Sequence, residues 1–166
     1  MPIKKRENRF GQGANIYTRV NLMTMYFDDF SIGMEMLSPC RTITETDVVQ
    51  FTGLSGDFNA LHIDEEFAKT TPYKTRVAHG LLSVSVVTGL QAMMGDVNDS
   101  SLGLLEINWK FKNGVIPGDT IHAKFIVKAM KETSKGDQGV LTRSVFVYNQ
   151  REEVVSEGEI VLLMKK

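Results

Sequence analysis

The residues best suited to chemistry lie in one short segment, residues 55–62, which reads Ser-Gly-Asp-Phe-Asn-Ala-Leu-His. Its carboxylate, Asp57, and its imidazole, His62, are five residues apart. In an irregular loop both side chains can reach one small ligand, whereas a rigid helix would turn them apart. Asn59 is suited to hold such a loop, because its side chain can hydrogen bond to nearby backbone. The segment can therefore present a carboxylate and an imidazole to the same small ligand.

A second segment, Ala78-His79-Gly80, follows, with His79 seventeen residues after His62. It stands at the start of the most apolar stretch of the chain, residues 78–94. Backbone amides at the start of a helix lack intrahelical partners and can receive an anionic oxygen. Gly80 would then lie where an oxygen of a ligand can approach the backbone.

The elements that must position these groups are helices. Residues 78–94 carry apolar side chains around every face of a helix, which predicts a core helix that is buried all round. The stretch is too short and too often interrupted by polar residues to span a membrane. Thr44, with Asp47 in the first turn, predicts the start of a helix that ends at Gly53 or Gly56. Asp64 predicts the start of a further short helix.

Alternating apolar and polar residues downstream predict strands of an antiparallel sheet. The runs are residues 105–112, whose apolar face we expect to be buried, and then 121–130, 140–149 and 154–164, joined by short turns. A first strand is expected in residues 35–43, interrupted at Pro39. The order predicts an α+β fold in which one curved antiparallel sheet wraps the long helix.

The composition predicts one domain in a chain of 166 residues, with 42% apolar and 23% charged residues. A net charge of −1 excludes a global field that would attract nucleic acid or an anionic membrane. The charge is uneven, because residues 1–26 hold five basic residues and one acidic residue, a net charge of +4. We therefore expect a basic N-terminal arm, residues 1–26, and a domain of residues 27–166.

The single cysteine, Cys40, cannot form an internal disulfide, which favours a reducing, cytoplasmic location. We expect it to be a small buried apolar residue rather than a catalytic thiol.

With Thr88-Gly89-Leu90, the two segments resemble the MaoC-like, (R)-specific enoyl-CoA hydratases, although Ala60 stands where that family usually has proline. The resemblance covers roughly residues 27–164 and implies the hot-dog fold, a long central helix wrapped by a curved antiparallel sheet. It implies a lyase that adds water reversibly to trans-2-enoyl thioesters, giving (R)-3-hydroxyacyl thioesters. Coenzyme A would be part of the substrate, with no cofactor, and the enzyme would be a homodimer or a larger homo-oligomer.

The resemblance also implies roles for individual residues. Asp57 and His62 would share the catalytic water, with Asp57 as base and His62 as proton donor, or the reverse. The Gly80 amide would hold the thioester oxygen. Further residues are expected to support the loop and the pocket: Asn59, Thr88, His79 and Tyr73. We expect Phe58, Leu61 and Tyr73 to desolvate Asp57, and His79 to orient the loop through a backbone contact rather than to react.

Other readings of these residues remain open. Asp57 and Asn59 are also common turn residues, and His62 can be a structural histidine. Three cations ahead of the long helix can contact coenzyme A phosphates: Lys69, Lys74 and Arg76. His62, Asp64 and His79 match no zinc pattern, so no metal is expected. His122 is expected on the solvated face of a strand.

Three rival functions remain. They are a dehydratase acting on carrier-protein thioesters, for which the basic arm can be a docking patch, a thioesterase, and a non-catalytic acyl-CoA-binding module. These motifs do not specify the length or polarity of the acyl chain. They also do not specify the pathway, of which fatty-acid metabolism is one candidate.

Overall fold

A computed structural model describes residues 24–166 and contains four α-helices, six strands and a single 3-10 turn among them. In chain order the elements are the 3-10 turn Phe27–Asp29, β1 (Glu35–Leu37), β2 (Arg41–Thr42), α1 (Glu45–Ser55), α2 (Ala60–Ile63), α3 (Glu65–Thr70), α4 (Gly80–Met94), β3 (Ser101–Phe111), β4 (Thr120–Glu132), β5 (Gln138–Tyr148) and β6 (Val154–Lys165). The first strand is interrupted around Pro39, as the sequence predicts.

The strands form one antiparallel sheet in the order β1-β4-β5-β6-β3, and β2 also pairs with β4. Strands β4, β5 and β6 follow one another through short turns, as predicted. Strand β3 instead pairs with β6, so the link after Phe111 crosses to the other side of the sheet. The predicted α+β arrangement, a long helix against a curved antiparallel sheet, is confirmed.

The core lies between α4 and the inner face of the sheet. The predicted inward face of β4 is buried, with Phe125 at its centre. Helix α4 contributes Val87, Leu90 and Met94. Burial of such side chains, each worth about 1.5–3 kcal/mol, fixes the position of α4 and of the loop before it.

The prediction that α4 is buried all round is wrong for the described chain. Leu81, Ser85, Gly89 and Met93 recur at helical spacing along one exposed stripe. The sheet covers only the opposite side of the helix.

The expectation of a buried face on β3 is also wrong. This strand is the edge of the sheet, and its apolar side chains are largely exposed: Leu102, Leu104, Leu105, Ile107 and Phe111. Its alternating pattern matches a half-buried strand, but no neighbouring layer covers it within residues 24–166.

Two smaller expectations need correction. His122 is buried and stacks on Tyr148, with 5.4 Å between ring centroids, so it is not solvated. Cys40 is half-buried, and burial, aided by the charge of Glu152, raises the pKa of its thiol. A raised pKa suppresses the thiolate, which agrees with an unreactive cysteine.

The predicted N-terminal arm lies largely outside the described residues. Its last residues, 24–26, bind the loop that follows α4, since the Met25 amide donates to the Asp96 carbonyl at 2.7 Å. Within residues 24–166, no helix has the combination of length and hydrophobicity needed to cross a bilayer.

Candidate active site

Helix α1 delivers Asp57 to the site. Thr44 and Asp47 form a capping box at its start, and Gly56 ends it in the left-handed conformation, with φ at 72°. Glycine adopts this conformation without strain. The chain therefore turns sharply, and Asp57 lies immediately beyond the helix.

Asn59 and Asp57 organise the next turn together. The Asp57 carboxylate accepts a hydrogen bond from the Asn59 amide at 3.2 Å, and the Asn59 side chain accepts one from the Leu61 amide at 3.0 Å. Asn59 is thus the N-cap of α2, a role that asparagine fills well. His62 lies on this helical turn rather than in the irregular loop that the sequence predicts.

His62 is fixed by a backbone group. Its Nδ1 lies 2.7 Å from the Val77 carbonyl oxygen. A carbonyl can only accept, so Nδ1 carries the proton and donates it. In the neutral form of this ring, the other nitrogen, Nε2, is an acceptor for a ligand.

His79 joins the two candidate catalytic residues. Its Nε2 donates to the Asp57 carbonyl oxygen at 3.0 Å, which is the predicted backbone contact. Its ring stacks on that of His62, with 3.7 Å between centroids and 28° between planes. The ring is buried, and its Nδ1 has no hydrogen-bond partner among residues 24–166.

Asp57, His62 and His79 lie close enough to be compared with a metal site. One carboxylate oxygen and one nitrogen from each ring lie within 4.8 Å of one another. One nitrogen of each ring already bonds to a backbone carbonyl, so each imidazole has one further nitrogen to offer a ligand. Asp64 takes no part, because it caps α3.

Gly80 is the first residue of α4, and the ring of Phe111 lies against it. A Cβ atom at Gly80 would lie 2.8 Å from Cζ of Phe111. Only glycine permits this approach. The free amides at the start of α4 and the Phe111 ring of β3 therefore lie side by side and form one wall of a cavity.

That wall borders a cavity of about 320 Å³ that opens beside His62. Its lining combines the site residues with apolar and small side chains: Leu61, His62, Tyr73, Val77, Ala78, Gly80, Leu81, Ser83, Phe111, Asn113, Gly114, Val115, Val155 and Ser156. The cavity brings an imidazole and a helix start together around a space of ligand size.

The predicted shielding of Asp57 is not present in the described chain. Asp57 is exposed, Phe58 is 63% exposed and Tyr73 is 49% exposed. Tyr73 does line the cavity. Thr88 does not, because it lies two turns along α4 and its hydroxyl donates to the Ser85 carbonyl at 2.8 Å.

The three predicted phosphate contacts differ in availability. Arg76 binds Glu45 at 2.6 Å and Glu65 at 3.2 Å, and the hydrogen bonds that it donates to Glu45 raise the pKa of its guanidinium. Lys69 pairs with Glu66 at 2.6 Å on the surface. Lys74 is exposed and forms no ion pair with another described residue. A phosphate would have to displace carboxylates from Arg76.

Two groups of the site are absent from the sequence prediction. The Val77 carbonyl is a backbone atom, which no residue type reveals. Phe111 has a visible signal, its place in an alternating strand, but that signal predicts burial rather than contact with Gly80.

Comparison with known proteins gives concordant matches. Residues 29–149 match the protein-family model described as a MaoC like domain. The chain is 37% identical over 117 residues to an (R)-specific enoyl-CoA hydratase of Rhodospirillum rubrum, covering 69% of this chain and 78% of that protein. It is 30% identical over 147 residues to a 3-hydroxybutyryl-CoA dehydratase of Methylorubrum extorquens, covering 87% of each.

A solved structure shows the fold. A Mycobacterium tuberculosis protein with a double hotdog fold aligns with a TM-score of 0.75 at 18% identity, covering 89% of this chain and 46% of that one. The hot-dog fold is therefore confirmed.

Proposed function

The chain belongs to the MaoC-like domain family, and on that premise we propose that it is an enoyl-thioester hydratase that works reversibly as a dehydratase. The substrate is a trans-2-enoyl-CoA and the product an (R)-3-hydroxyacyl-CoA. The observation that carries the proposal is that Asp57 lies close to His62, which lines one cavity together with the Gly80 helix start.

Asp57 and His62 hold the water. Its oxygen bonds to C3 of the enoyl group as the C2–C3 π pair moves to C2, one water proton passes to one of these two side chains, and the pair returns one proton to C2. A neutral His62 accepts at Nε2, because its Nδ1 proton is donated to the Val77 carbonyl. A proton that His62 delivers to C2 must therefore first come from the water.

Gly80 stabilises the thioester oxygen. Attack at C3 moves an electron pair toward C2 and the thioester carbonyl, whose oxygen gains negative charge. The Gly80 amide lies at the positive end of α4, where such charge is favoured. Hydration needs no oxidant or reductant, and coenzyme A enters only as part of the substrate.

A homodimer completes the assembly. Strand β3 has one unpaired edge within the described sheet, and its apolar side chains are exposed. Helix α4, which precedes β3 in the chain, also has an exposed stripe. Exposed apolar edges of this kind are normally covered in solution. Sedimentation of the full chain is expected to give twice the 18.6 kDa mass, and a monomer at micromolar concentration would contradict this.

The activity is tested with crotonyl-CoA. Loss of the conjugated enoyl absorbance and formation of (R)-3-hydroxybutyryl-CoA are expected. Faster turnover of the carrier-protein thioester would favour a carrier-linked dehydratase, since the basic arm offers a docking patch. Release of free thiol from butyryl-CoA would identify a thioesterase, and tight binding without turnover would identify a binding module. The single Cys40 supports a cytoplasmic location.

A further inference from the structure

Among the described residues, no Asp, Glu, Lys or Arg side chain lines the cavity beside His62 and Gly80. Its walls are mostly aliphatic and aromatic, with Phe111 on one side and Tyr73 on another. The polar groups are neutral, and they include Ser83 and Asn113. We infer that this cavity binds the acyl group of the substrate and selects an uncharged acyl chain over one that ends in a carboxylate. The inference rests on the proposed function.

Cations near the cavity in sequence are directed elsewhere. Arg76 precedes the wall residue Val77, but its guanidinium is held by Glu45 and Glu65. Lys112 follows Phe111 on the strand end and pairs with Glu157 at 2.9 Å. Neither cation lines the cavity.

The remaining lysines around the walls do not supply a counter-charge either. Lys110 precedes Phe111, and side chains that are adjacent along a strand point to opposite faces. It lines a separate groove on the other face of the sheet, with Lys128. Lys74 follows Tyr73 but is exposed and lies outside the lining. Within residues 24–166, the acyl cavity therefore lacks a partner for a carboxylate.

In the part of the chain that the structure describes, the electropositive feature at the cavity is the start of α4. The proposed reaction already assigns the Gly80 amide to the thioester oxygen, and the dipole effect fades within the first turn. A carboxylate at the far end of the acyl chain would be desolvated against apolar walls without compensation, which is strongly unfavourable. An uncharged chain has no such penalty and gains from burial of its methylene groups.

The test uses three substrates that differ only at C5. They are trans-2-pentenoyl-CoA, glutaconyl-CoA, which carries a carboxylate in place of the terminal methyl group, and the uncharged primary amide of glutaconyl-CoA. We expect kcat/KM for glutaconyl-CoA to be at least about tenfold lower than for the pentenoyl substrate, with the amide closer to the latter. Equal turnover of glutaconyl-CoA would overturn the inference. The inference would also be overturned if kcat/KM for the amide were as low as for the carboxylate, because the size of the terminal group, and not its charge, would then determine the selectivity.

A variant supplies the missing charge. Asn113→Arg places a guanidinium on the wall at an exposed position just beyond β3, and it is expected to raise the ratio of glutaconyl to pentenoyl turnover several-fold. Gln50→Arg adds the same charge on the exposed face of α1 and is the control. An unchanged ratio in Asn113→Arg, with the fold intact by circular dichroism, would overturn the assignment of the wall.

Binding separates this inference from the proposed chemistry. Calorimetric affinities of pentanoyl-CoA and glutaryl-CoA are measured with the full chain. If none of the enoyl thioesters is hydrated, the proposed function fails, yet tighter binding of pentanoyl-CoA still supports the cavity assignment. Equal or tighter binding of glutaryl-CoA would overturn that assignment whatever the activity.

Discussion

The imidazole of His79 stacks on that of His62 at 3.7 Å and at the same time donates a hydrogen bond to the Asp57 carbonyl oxygen at 3.0 Å. One buried side chain thus fixes both halves of the proposed acid–base pair. These two contacts add to the hydrogen bonds of the Asn59 turn between them. The sequence places these residues in two separate motifs, and the structure joins the motifs through this ring.

His79→Phe tests that link. The variant keeps an aromatic ring for the stack but removes the donor to the Asp57 carbonyl. Loss of one hydrogen bond, worth about 1 kcal/mol, predicts a roughly fivefold fall in kcat with KM nearly unchanged. Steady-state kinetics with crotonyl-CoA measures it. His79→Gln retains a donor and should recover part of the rate; an unaltered kcat in His79→Phe would remove His79 from the positioning role.

Two glycines should respond differently to an added methyl group. At Gly80 the new Cβ meets the outer end of the exposed Phe111 ring at 2.8 Å, and the ring can move away. At Gly139 it meets the buried Phe27 ring at 2.2 Å. Gly139→Ala is therefore expected to lower the free energy of unfolding by about 1–3 kcal/mol.

Gly80→Ala is expected to change stability little and to lower kcat/KM, because the displaced ring alters the cavity wall. Thermal melting and crotonyl-CoA kinetics of both variants check this pair. A melting temperature that falls as far in Gly80→Ala as in Gly139→Ala would contradict it.

A buried ion pair supports the far end of α4. Arg143 and Asp96 are fully buried, with 2.6 Å between their charged atoms, and the guanidinium lies 4.9 Å from the Phe125 ring centre. Desolvation lowers the pKa of Arg143, although Asp96 opposes that shift. Removing one partner leaves an uncompensated buried charge.

We therefore expect Arg143→Met and Asp96→Asn each to cost about 3–5 kcal/mol of unfolding free energy in urea titrations. The double variant should lose clearly less than the two single losses combined. Strict additivity would mean that the two charges do not stabilise each other.

The capping box of α1 predicts a pH dependence. Burial alone would raise the pKa of Asp47, but the Thr44 amide and hydroxyl and the Arg41 guanidinium together hold it below its usual range. A lowered pKa gives stabilisation that is present above the unfolded value of about 3.9 and is lost as the pH falls through the folded value.

Urea unfolding of the wild type and Asp47→Asn at pH 7 and pH 3 measures this contribution. The variant should be less stable at pH 7 by about 1 kcal/mol and should lose less on acidification. Equal losses in both proteins would exclude Asp47 as a source of the pH dependence.

Much of the fold was predictable because it follows from local chemistry. The Thr44 cap, the Asp64 cap and the inward face of β4 each depend on neighbouring residues or on strand periodicity. Whether β3 and the exposed stripe of α4 are covered depends on residues far away in the chain or on a second copy of the chain. Periodicity alone therefore predicted burial where the described chain has exposure.

The site divides in the same way. Asn59 as a local cap and His79 as a backbone contact were predictable, because short polar side chains and motif histidines act over a few residues. The Val77 carbonyl, the Phe111 ring and the ion pairs of Arg76 were not predictable. They depend on the approach of strands and helices whose separation the sequence does not specify.

The most direct test of the account is hydration of crotonyl-CoA by Asp57→Asn and His62→Gln, beside Asp64→Asn as a matched control. Asparagine is also a good N-cap, so the control should keep α3 and full activity. Removing either member of the acid–base pair is expected to lower kcat by about 10²–10⁴-fold without a change in melting temperature. Wild-type kcat in both Asp57→Asn and His62→Gln would contradict the account.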